Sequence, residues 1–189
     1  MKFLRRFLAF VCASAAIAHG EQNPSKAVSQ ADAMRALRLQ WLSEKPKLEA
    51  DDRGGRKIYA ALMDWPIGRD HTATVLSSSF GDASLYTTST FGVLGGIGHD
   101  SVRKAAAAFI SAAEAHIDLT SGTTDFSYAS KGEARFFFVT SKGVRSITFP
   151  FSEVERVGSP ASELFARAQD VVTQLRLITE KQKVQGEKG

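Results

Sequence analysis

Four glycines fall within seven residues in Thr90-Phe91-Gly92-Val93-Leu94-Gly95-Gly96-Ile97-Gly98-His99-Asp100-Ser101, directly ahead of the strongest helical pattern in the chain. Glycine lets a backbone turn through positive φ and come close to another group, and a helix start presents free N–H groups and the positive end of a dipole. Gly95, Gly96, Gly98 and the amides of Asp100 to Arg103 could therefore cradle an anion, with Lys104 adding charge. The ligand residues under that reading are Gly95, Gly96, Gly98, His99, Ser101 and Arg103. Asp100 works against it, because a carboxylate at the N-cap would fill the same pocket. The same residues also make a tight strand-to-helix connection that needs no ligand.

His99, Asp100 and Ser101 are the three residue types of a hydrolytic relay, but neighbours in sequence cannot each reach the next in the geometry a triad requires. No G-x-S-x-G elbow is present, so a hydrolase would have to recruit partners such as Asp64, His71 or Asp118 from elsewhere. The candidate metal ligands are His19, His71, His99 and His116 with Asp64, Asp70, Asp82, Asp100 and Asp118. No H-x₃-H or H-E-x-x-H spacing joins them, and each histidine reads as a surface or capping residue. An N-terminal His19 could chelate copper through its amine and ring. Neither a metal nor a cofactor is expected.

The chain begins as an exported protein does. Met1-Lys2-Phe3-Leu4-Arg5-Arg6 is a basic start, Phe7 to Ala18 is a short apolar run, and Ala16-Ile17-Ala18 is an A-x-A cleavage signature, with Gly20 as the alternative site. The apolar run is too short to span a bilayer stably. Cys12, the only cysteine, lies inside this segment, and Val11 before it is not the small residue that a lipoprotein signal places there. A mature chain without thiols has no disulfide, no cysteine nucleophile and no thiolate-bound metal. Its charge is also nearly balanced: taking Lys2, Arg5 and Arg6 from the 24 basic residues leaves 21 against 20 acidic ones, or +1. That removes the electrostatic case for a nucleic-acid binder.

The elements that must position these residues follow in order. Residues 19–56 hold a helix over about 24–42, with Val28, Ala31, Met34, Leu37 and Trp41 on its apolar face and Arg35 and Arg38 beside that face, then a charged linker punctuated by Pro46, Gly54 and Gly55. Whether this helix docks through Trp41 or swings freely is left open by the pattern. The folded domain spans 57–180. Ile58 to Met63 is apolar on both alternating faces, as a central strand is. Strands over 72–80 and 83–90, joined at Gly81-Asp82, carry Ser and Thr and read as half-exposed, so that their edge or face could recruit a partner. The helix over 101–117 carries Val102, Ala106, Phe109, Ile110 and Ala113, with Asp100 as N-cap. A long loop over 118–133 follows, then strands over 135–140 and 144–151, the first apolar on both faces and the second ending at Pro150, which must lie at an edge or be leaving the sheet. Ser159-Pro160 opens a last helix, and 181–189 reads as a flexible tail. No internal repeat of 20 to 50 residues stands out.

The resulting order, (α)-β-β-β-α-β-β-α, resembles the longin group of profilin-like domains, and the two strands apolar on both faces agree with cover on both sides. The resemblance implies an α+β fold, a five-stranded antiparallel sheet flanked by helices, and a partner-binding or ligand-sensing platform. Leu62-Met63-Asp64-Trp65-Pro66-Ile67-Gly68, Gly81-Asp82-Ala83-Ser84-Leu85-Tyr86 and Gly95-Gly96-Ile97-Gly98-His99 are similar to segments of uncharacterised exported bacterial proteins, a likeness that brings no activity with it. The expectation is a secreted or periplasmic, non-catalytic binding or assembly module of the cell envelope, with a protein partner or a small anionic ligand. The alternatives are an anion binder at the Gly92-Ser101 loop and a cryptic hydrolase.

Overall fold

The computed structural model describes residues 29–43, 56–89 and 91–186. The expected signal peptide, the mature N-terminus with its possible copper ligand His19, the linker after residue 43 and the last three residues lie outside this range.

Among the described residues the fold is α+β, an antiparallel sheet flanked by helices. Helix α1 is Gln30–Ser43. Strands β1 (Ile58–Ile67), β2 (His71–Ser78), β3 (Ala83–Thr87) and β4 (Gly92–Val93) follow. Helix α2 is Asp100–Ala115, and a 3-10 turn over Ile117–Leu119 leads to β5 (Ser121–Gly122), β6 (Glu133–Thr140) and β7 (Gly143–Pro150). A short helix α3 (Phe151–Val154) and the long α4 (Pro160–Gly186) complete it.

The sheet has seven strands, not five, in the order β4-β3-β2-β1-β6-β7-β5. The two additional strands are two-residue pieces, one at each edge: β4 lies against Leu85 and Tyr86, β5 against Arg145 and Ser146. Sequence periodicity cannot register so short a pairing, because two residues hold no alternation. Each piece shields part of an otherwise open edge.

Alternation along β1 and β6 divides the core in two. Ala61, Met63, Phe136 and Phe138 point to one face, where Val102, Ala106, Phe109 and Ala113 of α2 and Leu164, Ala168, Val171 and Leu175 of α4 meet them. Ala60, Leu62, Phe137 and Val139 point to the other face, where Met34 and Leu42 of α1 complete a second cluster with Leu76 and Tyr86. This is why Ile58–Met63 and Phe136–Val139 are apolar on both alternating faces. The Ser- and Thr-bearing strands differ from expectation: β3 is buried throughout and β2 from Ala73 to Ser78, with Thr74 and Ser84 on the face that α1 covers and Ser77 and Thr87 on the face of α2 and α4. The half-exposed strand is β7. Pro150 is its last residue, beyond the reach of β5, and the chain turns there into α3.

The helix signals resolve in the same detail. Ser159 caps α4, its Oγ accepting from the Ser162 amide at 3.0 Å, with Pro160 in the first turn. The helix continues through residue 186. His99, not Asp100, is the N-cap of α2, and it makes no side-chain capping bond. Among the described residues no helix is long and apolar enough to cross a membrane.

Phe136 is fully buried between Phe109, 6.5 Å away centroid to centroid, and Phe149 at 6.1 Å, both edge to face. Truncating Phe136 to Ala should cost about 3–5 kcal/mol, read as a lowered urea midpoint with an unchanged slope; a loss below about 1 kcal/mol would show that this core closes around the cavity.

Candidate functional site

The glycine loop is an edge strand running back along β3. Gly92 and Val93 pair with Tyr86 and Leu85; then the Gly95 amide donates to Ser84 Oγ at 3.4 Å and the Gly96 amide to the Ala83 carbonyl at 3.1 Å. The His99 amide returns to the Gly96 carbonyl at 3.1 Å. Gly95 sits at φ +74°, where a side chain would be strained. Two other glycines answer to space. A Cβ on Gly92 would stand 2.9 Å from Met34 Sδ, and one on Gly96 would stand 2.4 Å from Val102 Cγ1 and 3.0 Å from Leu175 Cδ2. Gly96 is thus where the loop, α2 and α4 come together, so a side chain at that position disturbs the fold itself and cannot separate binding from folding.

The loop's charges are also engaged. Arg103 donates to the Ile97 carbonyl at 2.5 Å and pairs with Asp100 one turn before it, while its aliphatic stem packs on Gly81. Asp82, whose Oδ1 accepts from the Ala83 amide at 2.9 Å, lies beside the loop, and burial raises its pKa while the amides of Ala83 and Gly96 oppose the shift. The structure therefore brings Gly98, His99, Asp100 and Ser101 to one shallow depression of about 440 Å³, with Ile178, Lys181 and Gln182 of α4 as its other wall. Gly95, Gly96 and Arg103 are bonded within the fold instead. Of the acids that a hydrolase would have to recruit, Asp64 is bonded to Arg38 and Asp118 pairs with Arg56. Among the described residues no group of three or more His, Cys, Asp or Glu side chains stands close enough to hold a metal.

What surrounds the loop is apolar and open. Phe80 in the β2–β3 turn is 69% exposed, and Phe91, Leu94 and Ile97 along the edge are 51%, 42% and 39% exposed. Gly81 against Arg103, and the bond from Arg103 to Ile97, hold the Phe80 turn beside the Ile97 end of the loop.

The second centre lies under α1. Asp64 and Arg38 are 0% and 1% exposed. Arg38 Nε donates to Asp64 Oδ1 at 3.1 Å, Nη2 donates to Oδ2, and Nη1 donates to the Phe126 carbonyl at 2.9 Å. Thr74 Oγ1 donates to Asp64 Oδ1 at 2.5 Å. The guanidinium carbon lies 4.2 Å from the Tyr128 ring centroid and 5.2 Å from that of Phe137. Strand register explains the convergence: Tyr86, Thr74, Asp64 and Arg135 are successive partners across β3, β2, β1 and β6, a polar row on the face that α1 covers. Arg135 in turn fastens the long loop, donating to Asp125 Oδ2 at 3.0 Å, Ser127 Oγ at 2.7 Å and the Asp125 carbonyl at 3.0 Å. Burial pushes the Asp64 carboxyl above its ordinary pKa, while Arg38, Thr74 and Arg135 pull it back. Asp125 is held down to about 2, first by the Ser127 amide and hydroxyl and then by Arg135.

Sequence reasoning set Arg38 beside the helix face, whereas it is the buried centre of that face, flanked by Met34 and Leu42, with Ala31, Leu37 and Trp41 half-buried. The available signal was the acid in the apolar run Leu62-Met63-Asp64-Trp65, which needs a cation once the strand is buried.

Comparison with known proteins returns no match: no family model, no curated protein and no solved structure is similar to this chain.

Asp64→Ala should cost about 3–5 kcal/mol by stranding Arg38, while the double change Arg38→Met with Asp64→Leu should cost much less. Chemical denaturation of the two variants measures the difference, and equal losses would mean that the centre does not act as a pair. Because the folded pKa of Asp125 lies below the ordinary carboxylate value, its contribution is present above about pH 4 and is lost as pH falls toward 2. Amides of residues 123–131 should lose exchange protection over that interval in the native chain and show no such step in Asp125→Asn.

Proposed function

We propose that the protein is an exported, non-catalytic binding or assembly module of the cell envelope, and that its contact surface is the edge formed by the glycine loop. The observation that carries this reading is the open apolar rim of Phe80, Phe91, Leu94 and Ile97 around a loop whose Gly95, Gly96 and His99 amides are spent within the fold. Exposed apolar side chains gathered at one edge mark an interaction site more often than singly scattered ones do. The element order, with strand runs on either side of α2 and helices over both faces of an antiparallel sheet, supports a platform of the longin or profilin-like kind. Export rests on the basic start, apolar run and A-x-A signature of residues 1–18.

A protein or apolar partner suits this edge better than an anion. Asp82 and Asp100 already place two carboxylates beside the loop, and Arg103 is neutralised by one of them. The glycines serve the reading in another way: by letting α2 and α4 approach, they leave Leu94 and Ile97 standing outward at a rigid edge.

A photo-crosslinking residue at position 94 or 80, expressed in cells, should give a discrete adduct that is lost when Ile97→Asp is added, with the melting temperature unchanged. The exposed position 155 serves as control. Equal labelling from 155, or adducts indifferent to Ile97→Asp, would sink the proposal.

A further inference from the structure

We propose that the groove under α1 is a helix-recognition site that can take α1 of a second copy of this chain in place of its own. The groove lies on the sheet face beneath α1 and meets the loop edge proposed above where Met34 reaches Gly92.

Its construction is specific. Leu62, Leu76 and Phe137 form an apolar wall, and Asp64 lies in the floor with Thr74 already bonded to it. The Phe126 carbonyl accepts a third bond from the guanidinium, and the Tyr128 ring closes over it. Such a site selects a helix with an arginine at its centre and a large apolar side chain one turn to either side. Met34, Arg38 and Leu42 supply that pattern at i−4, i and i+4, and among the described helices only α1 presents it at that spacing.

The hold on α1 is narrow. Of its 14 residues only Met34, Arg38 and Leu42 are buried, and Leu39 is 45% exposed. Twelve residues, 44–55, separate the end of α1 from Arg56, a length that spans up to about 40 Å when extended. That reach lets the helix lie on a neighbouring sheet, and every contact of the groove is regenerated when it does, which is what makes exchange of an identical element inexpensive. A tether of this length confers an effective concentration of order mM on the chain's own helix. The unmodified chain is therefore monomeric at micromolar concentration, and exchange becomes visible once the internal match is broken.

The test uses two full chains, Arg38→Ala and Asp64→Ala. Each alone has lost its match, the first keeping a groove with Asp64 and the second keeping a helix with Arg38. Mixed at equal concentrations of about 50 µM, they should form a heterodimer, seen by native mass spectrometry, that neither forms alone. A mixture that stays monomeric, or homodimers of either variant as abundant as the heterodimer, would overturn the proposal. Should either alanine chain lose its sheet signal in circular dichroism, the pair Arg38→Gln and Asp64→Asn makes the same mixture. Independently, sedimentation of the unmodified chain should show a dimer fraction rising as the concentration approaches about 1 mM, and a monomer throughout would overturn it equally.

Discussion

The structure depends on one charge being answered by another inside the protein. Asp64 sits at the middle of the central strand, with β2 on one side and β6 on the other, where water does not reach it. An isolated carboxylate there would cost several kcal/mol, and the cation that relieves it comes from outside the sheet, on a helix separated from β1 by 14 residues. Arg38 therefore does more than pair. Three of its donors are placed on two segments, Asp64 on β1 and the Phe126 carbonyl in the long loop, so its position sets the rotation and the height of α1 at once. An apolar residue of similar size would bury as well and fix neither. The register of α1 is thus specified by polarity within an apolar contact, as a single buried polar residue specifies register in some coiled coils.

The two faces of the sheet are held by different physics. On the α2 and α4 side the contact is broad and apolar, with small residues in α2 and Gly96 bringing backbones close. On the α1 side the contact is small and directional. The glycine loop touches both faces: Gly96 meets Val102 and Leu175 on the firm side, and Gly92 meets Met34 on the keyed side. Its proximity to Val102 and Leu175 leaves no slack for a bulky side chain at position 96, so the loop is a joint that presents its neighbours outward.

The sequence carried much of this. Apolarity on both faces of Ile58–Met63 and Phe136–Val139 announced a sheet covered twice, the Ser159-Pro160 start was legible from cap chemistry alone, and Pro150 marked where β7 leaves the sheet. What escaped were facts that local pattern does not encode. The hydroxyls of β2 and β3 looked like a solvated surface because serine and threonine tolerate either environment, and only the docking of helices on both faces decides between them. Arg38 looked like a flanking charge because its acid lies 26 residues away in sequence. The glycine loop looked like a cradle because flexibility for a ligand and flexibility for close packing use the same residue. The neighbours that distinguish them, Val102 and Leu175, come from two separate helices.

The bond from Arg38 to the Phe126 carbonyl, which spans 88 residues, also orders events in time. Helix α1 is synthesised before any strand of the sheet, yet its groove is incomplete until Phe137 on β6 has been made. At about 5–20 residues per second, that interval is roughly 5–20 s of translation. During it, an arginine-centred amphipathic segment has no partner in its own chain. The first described helix leaves the ribosome before the groove that seats it exists, and a chaperone that shelters it meanwhile meets it before the sheet does.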